Sequence, residues 1–493
     1  MQKTFNIPII ARGRIIEPGP DAVEYAGRGG ATIRCPDPHK HIHDLVLGDT
    51  NQLTDLQEMP VSKIIDFLVE LGPRLRLDKN TYMQEAFELG LQAGGLTEPI
   101  LRDIYETLPL SFNRAYLEKL VERTVGAAYL DGWVPQGTGA QARFRIRAVG
   151  TRNLHITAGN VPVVATLTVI RSALTKSDCL IKLPSNDPLT ANAVARTMID
   201  IDPAHPVVKH LAVAYWKGGD ELMGSEICRT SRIDKITAWG GMSSMKHIQK
   251  FLSPGLDLVA LNPKLSISIV GREALENPEA MKQVAAGIAM AAGRMNQTAC
   301  VNSRVVYVES ETDDESLGRL IALGEEIYQA FQELPARIST PAPRKNAELE
   351  AELRAIELDD ELYWVKGDTI KGGVIVSRFS DRVDFHESLN NRIVNLVPMP
   401  NLLDIVRWCD DSTQTVGIYP ERLRHTMRNA LALAGVQRMF PLCGVESTKQ
   451  ATEDGTELPG MPHDGIEPMR RMVRWVIDEA LVDTHASKRQ AAA

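Results

Sequence analysis

The stretch "AAGRMNQTACVNSRVVYVES", residues 291 to 310, ends an alanine-rich helical pattern, places Cys300 in a polar break and runs straight into a strand. A thiol reacts as its thiolate, and polar neighbours and a nearby cation favour that form. Asn296, Gln297 and Thr298 stand just before Cys300, and Arg304 follows four residues later. The residue types suit a nucleophile; a lone cysteine in a chain of 493 residues is otherwise an inert apolar side chain, the reading given to Cys179, Cys228, Cys409 and Cys443.

Two further stretches carry groups suited to a nucleotide. In "CLIKLPSNDPLTA", residues 179 to 191, a buried strand delivers Lys182 and then Ser185 at its exit, just before a helix opens. An ammonium there can reach ribose hydroxyls or phosphate, or simply be solvated. In "AWGGMSSMKHI" Trp239 closes a strand, Gly240 and Gly241 let a backbone approach closely, and Ser243 or Ser244 can cap a helix aimed at phosphate. Cys35, His39, His41 and His43 in "CPDPHKHIH" bring thiolate and imidazole together, but two prolines and the lack of a second ligand pair read as a loop. No metal is expected.

These groups need elements to position them. Residues 61 to 130 carry helical periodicity, then "ARFRIRAVG" alternates as a strand, with Phe144, Ile146 and Ala148 on one face. "NLHITAG", "VPVVATLTVIRSAL", "DCLIKLP" and "DPLTANAVARTMID" follow as strand, helix, strand and helix, the pattern of a parallel sheet covered by helices. "HLAVAYWKGG" and "IDKITAWGG" add two strands, each closed by a glycine pair that begins at Gly218 and Gly240. In an open α/β sheet the ligand lies beyond the carboxyl ends of the strands, where these glycines fall. Gly137, Gly139 and Ala142 in "GTGAQA" match a dinucleotide spacing, but Pro135 precedes them and a strand follows, so no helix N-terminus waits for pyrophosphate.

At 44% hydrophobic residues and a formal net charge of −8, the chain reads as an ordinary globular protein with no basic footprint for nucleic acid. The apolar run "VPVVATLTVI" falls well short of the roughly 20 residues that cross a bilayer, and "MQKTFNIPIIARGR" has no signal-peptide core. Scattered cysteines without a CxxC pair point to free thiols in the cytoplasm.

From about residue 130 to 480 the order of these pieces resembles the aldehyde dehydrogenases, and more closely their LuxC-type branch, the fatty acyl-CoA reductases of bacterial bioluminescence. "RAVGTRNLHITAGNVP" is similar to that superfamily's strand and Asn-containing loop, "IKLPSNDPLTA" to its ribose-binding strand, "NQTACVNSR" to its nucleophile segment, and "PHDGIEPMRRMVRWV" to the tail of the acyl-CoA reductase branch. The resemblance implies an α/β fold of a doubly wound cofactor domain, a catalytic domain and oligomerisation arm strands. It implies Cys300 as nucleophile, and Asn160 with the Cys300 backbone N–H as oxyanion donors, although "AGN" alone is also an ordinary turn. Lys182, Ser185, Trp239, Gly218, Gly240 and Gly241 fall to the cofactor.

Two departures from the superfamily shape the expected reaction. Aldehyde-oxidising members carry a Glu four residues before the lysine matched by Lys264, and here that position is Ala260. Without a base for water an acyl-cysteine hydrolyses slowly and survives to meet a hydride or a thiol. Ser185 stands where NAD-specific relatives hold the adenosine ribose with Glu, so NADPH is the expected cofactor. The expected function is reduction of a long-chain acyl thioester, on CoA or on a protein, to a fatty aldehyde through an acyl-cysteine. An acyl-protein synthetase and an acyl-transferase are the expected partners, and the arm strand predicts a homo-oligomer. A CoA-acylating aldehyde dehydrogenase using NAD, and a silent acyl-presenting protein, remain alternatives. The expected divisions are 1–130, the N-terminal helical part of the cofactor domain; 131–258, its α/β part with the arm strand; 259–440, the catalytic domain; and 441–493, a C-terminal return.

Overall fold

Over residues 3–137, 143–443 and 459–479, which the computed structural model describes, two seven-stranded sheets carry the chain. Gly139 and Ala142 of the rejected glycine motif lie outside the described residues.

In the first sheet the spatial order is Asp257–Leu261, Lys235–Trp239, Arg152–Ile156, Asp178–Lys182, Leu211–Ala214, Ile9–Ala11 and Arg14–Ile16. The first five are parallel, so their carboxyl ends share one edge. The pleat sends Cys179 and Ile181 to one face, packed with Val169 and Ile170 of helix Val163–Leu174 and Val194 of helix Thr190–Ile201. Leu180 and Ala212 point the other way, against Met223 of helix Glu221–Ile227 and Met245 of helix Met242–Gln249. Burial on both faces is why these strands read as continuous apolar runs rather than as alternation. Strand order reverses between Arg152–Ile156 and Lys235–Trp239, opening a crevice at their carboxyl ends.

The helical expectation for the N-terminal part fits helices Val61–Arg74, Thr81–Ala93, Glu98–Thr107 and Arg114–Thr124. It is corrected for residues 4–35, which hold five short strands joined by loops and one 3-10 turn. Ile9–Ala11 and Arg14–Ile16 make a hairpin whose loop is Arg12 and Gly13, both with positive φ (54° and 81°), and the hairpin extends the first sheet antiparallel. Thr4–Asn6, Thr32–Cys35 and Val23–Ala26 form a small sheet beside it. Three-residue apolar runs are too short to show a period.

The second sheet runs Tyr363–Asp368, Gly372–Ser377, Ile393–Met399, Ser303–Glu309, Leu265–Val270, Thr413–Tyr419 and Arg438–Pro441, parallel except for its first strand. Helices Pro278–Gly293 and Asp314–Glu333 bury one face with Ile288, Leu323 and Ile327; Leu402, Met427 and Leu431 cover the other. A third sheet pairs Val473–Glu479 with Phe144–Gly150, and that strand with Val134–Pro135. The strand read from "ARFRIRAVG" is thus the middle of an arm whose outer partner comes from the tail. Among the described residues no helix is long and apolar enough to cross a membrane.

Candidate active site

Helix Pro278–Gly293 ends in a turn that few sequences adopt. Met295, Asn296 and Gln297 have φ of 53°, 50° and 64°, three successive left-handed residues at roughly 1–2 kcal/mol each. Side chains hold the turn in place. Asn296 Oδ1 accepts from Ser339 Oγ at 3.0 Å and from Thr340 N at 2.9 Å. Gln297, fully buried, donates to the carbonyls of Ser303 and Ile393 at 2.8 and 2.9 Å and accepts from Ile393 N at 3.0 Å. Asn302 Oδ1 accepts from Ala299 N at 2.9 Å. Cys300 emerges between this turn and strand Ser303–Glu309, its carbonyl accepting from Ser266 Oγ at 2.7 Å.

Burial pushes the Cys300 thiol up and the negative charge of Asp464 adds to it; Gln414, the residue's own backbone N–H and Arg304 pull the other way and do not prevail. Cys300 therefore rests protonated at neutral pH and must lose its proton on attack. Arg304, singled out as the cation near the thiol, is half-buried and gives its Nε–H to the Leu389 carbonyl at 2.9 Å.

Asn160 lies in the loop that follows strand Arg152–Ile156. Its Nδ2 donates to the Thr298 carbonyl at 3.0 Å, so an amide from the loop at the edge of the first sheet meets the backbone two residues before Cys300. Gly159 is required beside it: a Cβ there would stand 2.3 Å from Asn186 Oδ1 and 2.7 Å from Pro184 Cγ. That contact seats the Asn160 loop on the loop carrying Ser185.

Three residues at this site were not singled out from the sequence: Gln414, His463 and Asp464. Gln414 Nε2, from strand Thr413–Tyr419, lies 3.3 Å from Cys300 Sγ and also donates to Asp464 Oδ1. Asp464 and Gly465, with φ of 51° and 75°, are the two loop residues of a tight hairpin closed by His463 N to Ile466 O at 2.7 Å and Ile466 N to His463 O at 3.1 Å. Asp-Gly is the sequence signal for such a turn; that its aspartate is buried, with 4% of the side chain exposed, is not. His463 Nε2 stands 3.9 Å from Asp464 Oδ2, and the imidazole meets the Trp239 ring edge-on at 4.9 Å. The Arg171 guanidinium lies 5.9 Å from the same indole. Trp239, expected at the cofactor, therefore also links the first sheet to the tail.

The other expected cofactor residues line the shared carboxyl edge. Burial drives the Lys182 amine down to about 8, and among the described residues no carboxylate pairs with it; its Nζ lies 6.0 Å from the Tyr215 ring centroid. Ser185 is half-buried in the turn beyond it. Helix Met242–Gln249 starts earlier than the serines suggested. Gly241 is its N-cap, so Ser243 and Ser244 lie inside its first turn and its leading N–H groups have no side-chain cap. A Cβ at Gly218 or Gly241 would meet nothing within 4 Å, whereas at Gly240 it would press on Ser244 at 3.1 Å. An amine without a carboxylate, an uncapped helix start and open space at Gly218 and Gly241 fit a nucleotide with its phosphates.

The Cys35 cluster is spent elsewhere. Burial pushes the Cys35 thiol up to about 12 and its sulfur faces the Tyr215 carbonyl at 3.9 Å; His39 pairs with Asp220 and His41 with Asp44, each at 3.0 Å. Among the described residues no three His, Cys, Asp or Glu side chains are grouped to hold a metal.

The sequence profile of the family described as acyl-CoA reductase (LuxC) matches residues 56–475. The chain belongs to the LuxC acyl-CoA reductase family. It is thus an oxidoreductase acting on the aldehyde or oxo group. The long-chain acyl-protein thioester reductase of Photorhabdus luminescens is 26% identical over 487 residues, 97% of this chain and 94% of that protein. The one from Vibrio harveyi is 24% identical over 479 residues, covering 96% and 93%. Among solved structures, aldehyde dehydrogenase 21 from Physcomitrella patens superposes with a TM-score of 0.71 at 13% identity, covering 98% of this chain and all of that one. The NADP-dependent glyceraldehyde-3-phosphate dehydrogenase from Bacillus halodurans, complexed with NADP, gives 0.68 at 14% identity, covering 96% and 98%. This LuxC-family chain has the aldehyde dehydrogenase fold.

Proposed function

We propose that the chain reduces a long-chain fatty acyl thioester to the fatty aldehyde with NADPH, through an acyl-cysteine on Cys300. The observation that carries the reading is the contact of Asn160, from the cofactor sheet, with the backbone of the turn that presents Cys300. The acyl-protein thioester reductases similar to this chain favour an acyl group delivered on a protein, which makes an acyl-protein synthetase and an acyl-transferase the natural partners.

The Cys300 sulfur attacks the thioester carbon and the bond to the carrier sulfur breaks. The carrier thiolate takes up one proton as Cys300 gives one up, and the acyl group stays on Cys300. Through both tetrahedral stages the Asn160 amide and the Cys300 backbone N–H donate to the oxyanion. The chemistry a nicotinamide would supply when bound here is a hydride for the acyl carbon. Lys182 would hold its ribose hydroxyls or phosphate, and the Met242 helix start with Gly240 and Gly241 its phosphates. Ser185 leaves uncharged room for a 2′-phosphate. Collapse expels the Cys300 thiolate and frees the aldehyde. With Ala260 where a water-activating Glu would be, that position supplies no base for hydrolysis. The arm strand Val473–Glu479, with Ile477 67% exposed, is the edge on which a second copy would pair.

The test is to mix the full chain with a fatty acyl-CoA, or an acyl-protein, and NADPH, and follow the nicotinamide absorbance. Aldehyde should form in step with NADPH loss, and Cys300→Ala should abolish both acylation and turnover. Normal labelling of Cys300→Ala by a radioactive acyl donor would remove Cys300 as nucleophile.

A further inference from the structure

We infer that Gln414 is a catalytic residue that donates a hydrogen bond to the Cys300 sulfur as thiolate, and that Asp464, on the tail hairpin, is the positioning residue that aims it. The inference rests on the reading of Cys300 as nucleophile.

The Cys300 sulfur is the leaving group of the second half-reaction as well as the nucleophile of the first, so it bears negative charge twice per turnover. A donor fixed on it serves both moments. Gln414 has two amide hydrogens, and its nitrogen is in reach of two acceptors, Cys300 Sγ at 3.3 Å and Asp464 Oδ1. The contact with Asp464 sets the plane of the amide, which sends the other hydrogen to the sulfur. Gln414 is itself 5% exposed, so it has no solvent position to retreat to. Its Oε1 is buried without a protein partner, so this amide is not explained as a satisfied core group. The turn around Asp464 is built for presentation. Two consecutive residues of positive φ carry the aspartate inward at the tip of a hairpin, and His463 beside it packs on Trp239.

The charged groups facing the sulfur are Asp464, backed by His463, from the hairpin, and Arg304 from its own strand, on which Glu387 acts in turn. Asp464 therefore exerts two opposed effects. Its charge disfavours the thiolate directly, and its grip on Gln414 favours it. A residue that served only packing would show neither.

The experiment is alkylation of Cys300 by iodoacetamide across a pH series in the full chain, read at the Cys300 peptide by mass spectrometry. Gln414→Met keeps the side chain's length without its donors and should raise the alkylation midpoint by about one pH unit, the size of a hydrogen bond to a charged group. It should slow acyl transfer from a fatty acyl-CoA by about tenfold. If Gln414→Met does not fold, Gln414→Asn, too short to reach the sulfur, should give the same upward shift. Asp464→Asn removes the charge but keeps an acceptor for the amide, so the midpoint should fall further than in Asp464→Ala, which removes both. A Gln414 variant that folds and titrates as the wild type overturns the donor role. Asp464→Ala falling as far as Asp464→Asn overturns the positioning role. Should Cys300→Ala be inert while Gln414→Met titrates normally, only this inference fails; acylation of Cys300→Ala would instead remove the nucleophile reading beneath it.

Discussion

Replacing Asn160 should cost the fold little and the proposed reaction much. Its side chain is exposed and makes one bond, to a carbonyl of the nucleophile turn, so truncation leaves no buried group stranded. Asn160→Ala should lower kcat by about 10²–10³, the value of one oxyanion donor, with the dissociation constant for NADPH nearly unchanged; lost NADPH affinity at normal turnover would contradict the role. Ser185→Glu should repel a 2′-phosphate and move preference toward NADH by about 1–3 kcal/mol, measured as kcat/KM with both nicotinamides. An unchanged preference would show that the adenosine ribose lies elsewhere. In the sequence Cys300 and Lys182 stand out as polar groups that interrupt or end an apolar pattern, whereas Asn160 is singled out only through the family resemblance. Gln414 and Asp464 do not stand out, since a glutamine in a strand and an Asp-Gly turn are ordinary surface features. What sets them apart is contact across the chain: Gln414 meets a sulfur 114 residues away and a carboxylate 50 residues away.

The turn before Cys300 shows how an element can be strained and still well placed. Left-handed geometry at Met295, Asn296 and Gln297 is unfavourable locally, and the buried amide of Gln297 offsets it by tying the turn to Ser303 and Ile393 with three hydrogen bonds. Gln297→Leu would keep similar volume and take the donor from the Ser303 and Ile393 carbonyls, at about 1–3 kcal/mol each, while the Ile393 N–H keeps the Asn390 carbonyl at 3.2 Å. Its urea midpoint should fall steeply, and acyl transfer should fall with it even where the protein remains folded, because Cys300 loses its presentation. A variant as stable as the wild type would mean that water or a shifted backbone satisfies those groups. The sequence located this turn as a polar break but not its handedness, because no glycine marks it. The parallel strands were easier: the "CLI" of "DCLIK" and the "LAVA" of "HLAVA" are unbroken apolar runs with polar residues only at their ends. The N-terminal hairpin escaped because its strands are three residues long.

For the molecule as a whole, pH should act on stability through buried histidines of the cofactor sheet. His155, on the central strand Arg152–Ile156, is 1% exposed, with its Nε2 3.0 Å from Ser172 Oγ of helix Val163–Leu174. Burial, with Arg171 adding, pushes its pKa down to about 3 from an ordinary 6.5. The folded chain holds it neutral while the unfolded chain protonates it, so its share of stability is complete above pH 6.5 and is lost as pH falls toward 3. At pH 5.5, one unit below the ordinary value, that loss is about 1.4 kcal/mol. His210 runs the other way: burial lowers its pKa, but Asp178 and Asp55 outweigh burial and hold it raised, so its contribution is lost as pH rises. Total stability against pH therefore mixes both signs, and the His155 part has to be taken as a difference. His155→Gln keeps a group able to bond Ser172 and cannot titrate. It should start less stable than the wild type at pH 7.5 and lose about 1.4 kcal/mol less on going to pH 5.5, both read from urea unfolding. Equal losses in the two proteins would mean that His155 is protonated in the folded chain and that the centre of the cofactor sheet admits a charge.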